Sequence, residues 1–153
     1  MNKRGTLLLL QSRLAPFVLV ALFANCISFT PAPPVSYKKE RAAAIGAMTQ
    51  YRTLFNEERY EDLYAMTDSR AKATKSKEAF LELTKAIRTQ LGKVVIPVLV
   101  DTKVQSQDRF TEVTLTYETT FEHGMQRESF VWYVGNETVG LYSFTILSQQ
   151  MRP

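Results

Sequence analysis

The chain has 153 residues, 45% of them hydrophobic and 22% charged, with a formal net charge of +4 and a pI near 9.2. One cysteine and one histidine exclude an intrachain disulfide and a Cys/His metal cluster. Lys3, Arg4 and Arg13 lie in a 25-residue stretch without an acid, so the remainder is nearly neutral and offers no basic face for nucleic acid.

That first stretch reads as an export signal. Residues 14–24 are apolar and uncharged, which is short for a bilayer span of roughly 20 residues. They lead into Leu22-Phe23-Ala24-Asn25-Cys26. The segment resembles a bacterial lipoprotein signal, in which the cysteine becomes residue one and carries the lipid. Ala24 fits that pattern, Phe23 is uncommon in it, and Asn25 departs from it. The resemblance implies a signal peptide over 1–25 and lipidation at Cys26. It also implies a periplasm-facing protein of the bacterial envelope, with Ile27 favouring the outer membrane. A lone thiol is a liability in an oxidising compartment, and acylation removes it. An uncleaved membrane anchor over 14–29 is the alternative.

Pro31, Pro33 and Pro34 then mark a semi-rigid tether over 26–37. A globular domain is expected over 38–148, with a tail at 149–153. After cleavage the chain is long enough to bury roughly two-thirds of its unfolded surface.

Residues 38–55 read as a helix, with Ala42, Ile45, Met48, Tyr51 (or Arg52) and Phe55 at helical spacing and Asn56 as its stop. Gly46 inside it marks either close packing or a tolerated weakness. Residues 57–66 read as a short second helix, acidic at its start. Residues 67–75 read as a polar loop carrying Arg70, Lys72 and Lys75. Ser76 is an expected N-cap for a third helix with Phe80, Leu83, Ile87 and Leu91 on one side, stopped by Gly92.

Beyond Gly92 the period changes to two. Residues 94–104 form a β-rich run in which Pro97 suggests an edge or a bulge. In 112–122 the residues Val113, Leu115, Tyr117, Thr119 and Phe121 alternate with polar ones. His123-Gly124 turns the chain into 125–134. Residues 135–138 turn it into 139–148, with Tyr142, Phe144 and Ile146 expected on one face. The expected fold is α+β: three N-terminal helices packed on a curved four-stranded antiparallel sheet.

From Tyr51 to Leu147 the chain resembles the nuclear transport factor 2-like cone (cystatin-like) superfamily, and within it exported bacterial domains of unknown function. The resemblance rests on Asn56-Glu57-Glu58-Arg59-Tyr60-Glu61-Asp62-Leu63-Tyr64, on Phe80 and on Arg88-Thr89-Gln90-Leu91-Gly92-Lys93. The strands around Glu112-Val113-Thr114-Leu115-Thr116-Tyr117 and Glu128-Ser129-Phe130-Val131-Trp132-Tyr133 complete it. The last hairpin departs from the pattern, since Trp132 precedes the turn 135–138. The superfamily holds enzymes, ligand pockets and assembly partners, so the fold does not choose among them.

No catalytic motif is visible. His123 at a hairpin tip reads as a turn residue rather than a base. Asp68, Asp101 and Asp108 fall at loops or strand ends, and Glu118 points away from Tyr117. Tyr51, Tyr117, Trp132 and Phe144 are the candidate pocket lining, against the simpler reading as core. The expected function is a non-catalytic, lipid-anchored envelope domain binding a protein partner or a small apolar ligand, with no cofactor and no metal. The alternatives are a single-span assembly component of a secretion-type machine, or a small isomerase-like pocket enzyme. The oligomeric state stays open, a dimer included.

Overall fold

The computed structural model describes residues 36–147. Four helices precede four strands: α1 (Lys38–Asn56), α2 (Tyr60–Ala65), α3 (Ser69–Lys72), α4 (Lys77–Leu91), β1 (Val94–Ser106), β2 (Thr111–Phe121), β3 (Gly124–Val134) and β4 (Val139–Leu147). The strands form one antiparallel meander in the order β1-β2-β3-β4. The expected leader, Cys26, the prolines of the expected tether and the expected tail lie outside the described residues. Among the described residues no helix is long and apolar enough to cross a membrane.

Strand alternation sets the layers. Val113, Leu115, Tyr117, Thr119 and Phe121 of β2 are buried, as are Glu128, Phe130, Trp132 and Val134 of β3, while the residues between them are half-buried. The buried face packs on α1, which contributes Ala44, Met48, Tyr51, Leu54 and Phe55. An aromatic cluster fills the middle: Phe130 meets Tyr51 edge-on at 5.5 Å and stacks on Phe144 at 6.0 Å.

Residues 67–75 are not all loop. Asp68 accepts a hydrogen bond from the Arg70 N–H and caps the single turn of α3. The α2–α3 junction is clamped to β4, with Asp68 N–H donating to Leu141 O and Leu141 N–H donating to Met66 O. Gly140 makes this approach possible, since a Cβ there would stand 2.8 Å from Asp68 Cα.

Both ends of α4 follow the sequence. Ser76 Oγ accepts from Ala79 N–H, and Gly92 leaves the helix at φ 79°. The buried stripe differs by one position: Phe80, Thr84 and Leu91 are buried, with Thr84 Oγ1 bonded to Phe80 O, while Leu83 is 48% exposed. A threonine fits inside because its hydroxyl is satisfied by its own helix.

Two turns also differ from expectation. The left-handed residue after α1 is Glu58 at φ 60°, not Asn56. Asn56 instead uses its side-chain amide as a strand partner, donating to Val94 O and accepting from Val94 N–H. In β4 a register shift beside Val131 and Trp132 makes Tyr142 the extra residue. Phe144 and Ile146 still reach the core, while Tyr142 turns out to stack on Tyr133 at 4.3 Å. Arg70 covers the rings of Tyr133 and Phe110 at 4.2 and 4.0 Å.

Candidate functional site

The concave side of the sheet holds an open cleft and, beside it, a much smaller chamber. The cleft measures about 400 Å³ and is lined by Leu83, Ile87 and Leu91 of α4, Gln126 of β3, and Phe144 and Ile146 of β4. Leu83 stands exposed at this lining because Thr84 has taken the buried position. Gln90 adds a second amide, and Gln126 Oε1 is buried without a hydrogen-bond partner.

Ile87, Phe144 and Ile146 also line the chamber, together with Met48, Tyr51, Arg52 and Glu128. Its free volume is about 10 Å³, near the least that one water needs. The chamber contains the one ion pair of the interior among the described residues. Arg52 and Glu128 are 8% and 4% exposed, and Arg52 Nη2 lies 3.1 Å from Glu128 Oε2. Thr119 Oγ1 accepts from Arg52 at 3.2 Å and donates to the same carboxylate oxygen. The guanidinium covers the Tyr117 ring at 4.5 Å from its centroid.

The sheet register explains why these groups meet. Tyr117 pairs with Glu128, and Thr119 with Gln126, on the inner face. Arg52 follows Tyr51 on the inward side of α1. Two buried charges are tolerable because each neutralises the other and the hydroxyl supplies a further hydrogen bond. Burial pushes the Tyr51 phenol well above its ordinary range, and the nearby Glu128 carboxylate adds to the effect. Burial also raises Tyr117.

The four aromatic candidates separate. Tyr51 and Phe144 line the chamber, and Phe144 also lines the cleft. Tyr117 stands against Arg52 without lining the chamber or the cleft, and Trp132 is fully buried, edge-on to Tyr51 at 6.4 Å. His123 is exposed at the hairpin, with Nδ1 3.1 Å from Gln90 O at the end of α4. Asp101 and Asp108 are exposed, and Asp68 is held by Arg70 outside the chamber. Glu128, the interior acid, was not among the acids singled out in sequence. Its signal was present, because Glu128 is in phase with Phe130, Trp132 and Val134.

Among the described residues no group of His, Cys, Asp and Glu is placed to hold a metal ion. No curated protein matches the chain. Residues 43–137, well over half of it, match the family model described as the NTF2-like N-terminal transpeptidase domain. This range runs from within α1 to the turn after β3 and includes Arg52, Thr119 and Glu128. The chain belongs to that family, within the cone superfamily that its helices and curved meander suggested.

Proposed function

We propose that this is a non-catalytic binding module of the bacterial cell envelope. A lipid on Cys26 anchors it, and the concave cleft receives an apolar group of a protein partner or a small apolar ligand. The observation that carries the reading is the cleft itself. It is open, walled by Leu83, Ile87, Leu91, Phe144 and Ile146, and supplied with two amides to orient what enters.

The anchor is tested by labelling cells with radioactive palmitate. Label and membrane retention are expected for the native chain and absent for Cys26→Ala. Unchanged labelling in that variant overturns the lipid reading. Intact-mass analysis separates the uncleaved single-span alternative, which keeps residues 1–25. For the cleft, a photo-crosslinker at Leu83 is expected to give a discrete adduct in cells that Ile146→Glu abolishes. An adduct indifferent to Ile146 counts against this site.

A pocket enzyme of the isomerase type requires an interior carboxylate, and Glu128 is one. Its engagement by Arg52 and Thr119, in a chamber of single-water size, favours a structural role for it.

A further inference from the structure

We propose that the free edge of β1 is a self-association surface, on which a second copy of this chain pairs antiparallel about Pro97. The sheet order leaves β1 with a neighbour on one side only. Its first seven residues, Val94-Val95-Ile96-Pro97-Val98-Leu99-Val100, are all apolar. Val95, Ile96, Val98, Leu99 and Val100 are exposed by 38–58%, on an edge that carries Pro97 and two irregularities but no charge between Lys93 and Asp101.

The run is bounded by opposite charges at equal distance from its centre. Lys93 lies four residues before Pro97 and Asp101 four residues after it, both exposed. Antiparallel pairing of two copies about Pro97 therefore sets Lys93 of each copy opposite Asp101 of its partner. Val94 then faces Val100, and Ile96 faces Val98. Sliding the register by two residues sets Lys93 opposite Lys103 and Asp101 opposite Val95. A parallel pairing sets like charges together. Only the register about Pro97 satisfies both the charges and the aliphatic groups.

Register irregularities at Val95 and Val100 bracket the regular stretch 96–99. Ile96 and Val98 pair with Thr120 and Glu118 on the outer face, so the two-fold gathers four aliphatic side chains there. Met125, 51% exposed and paired with Thr120, extends the patch. Pro97 offers no amide, which limits main-chain bonding at the centre and leaves side chains and charges to choose the register.

Sedimentation velocity on the full chain in mild detergent tests the proposal. The native chain is expected to associate to twice the monomer's protein mass. Lys93→Asp is expected to weaken association roughly tenfold, and the exchange Lys93→Asp with Asp101→Lys to restore it. In a Cys26→Ser background, Pro97→Cys is expected to form a disulfide-linked dimer on mild oxidation, while Lys103→Cys is not. A chain that stays monomeric, a dimer indifferent to Lys93→Asp, an exchange variant that does not recover, or equal crosslinking from both cysteines overturns it.

Discussion

Arg52 and Glu128 neutralise each other almost out of reach of water, so each is tolerable only while the other is present. Glu128→Ala is expected to destabilise the domain by about 3–5 kcal/mol in urea unfolding, because a guanidinium is left buried without its counter-ion. Arg52→Met combined with Glu128→Leu is expected to recover most of that loss, since an apolar pair needs no partner. A double variant as unstable as the single one would show that the pair does more than balance charge. The Glu128 position was legible from alternation, as the chain sets it in step with Phe130 and Trp132. Its partner was not. Arg52 and Tyr51 compete for the same side of α1 in any helical count, and both turn out to be buried. Which arginine meets which acid depends on the register of β2 and β3, a long-range property.

The elements differ in how much of them local sequence specifies. Helix α4 was legible at both ends because its stops are local devices: a serine hydroxyl before it and a glycine at positive φ after it. Its buried stripe departs from hydropathy at Leu83 and Thr84, because hydropathy ranks leucine above threonine and cannot see the hydroxyl satisfied by Phe80 O. Likewise α3 was hidden in a polar run, since its four residues are stabilised by Asp68 and by docking on β4 rather than by helical periodicity. In α1, a Cβ on Gly46 would meet nothing within 4 Å. Gly46 is therefore a tolerated weakness, and Gly46→Ala is expected to stabilise the domain by about 1 kcal/mol in thermal unfolding. Gly140→Ala is expected to do the opposite, costing about 1–3 kcal/mol, because its Cβ drives against the Asp68 backbone.

For the whole molecule, charge sets the pH window of stability. The hydrogen bond from the Arg70 side chain holds the Asp68 carboxyl below its ordinary value of 3.8. When the chain unfolds, that carboxyl returns to the ordinary value and binds protons more readily. Its contribution is thus in place above about pH 4 and is lost as pH falls below that. At the other end, burial raises Tyr51 and Tyr117 above their ordinary 10.0. Their contribution is in place below pH 10 and is lost as pH rises beyond it, when the unfolded phenols ionise and the folded ones resist. Calorimetric scans across pH are expected to show falling stability at both limits. Asp68→Asn should flatten the acid limb and Tyr51→Phe the alkaline one; a variant scan that parallels the native one refutes that assignment.

Trp132 is the sole tryptophan of the chain and is wholly shielded, with Tyr51 edge-on between it and the chamber. The molecule therefore carries its own optical probe inside the core. Native emission is expected to be blue-shifted and insensitive to iodide. A group that enters the cleft and displaces Phe144 must repack Phe130 and Tyr51 before it can alter that emission. Pairing at β1, on the far side of β2, should leave the emission unchanged. One spectrum thus distinguishes occupancy of the concave side from association at the edge, without a label.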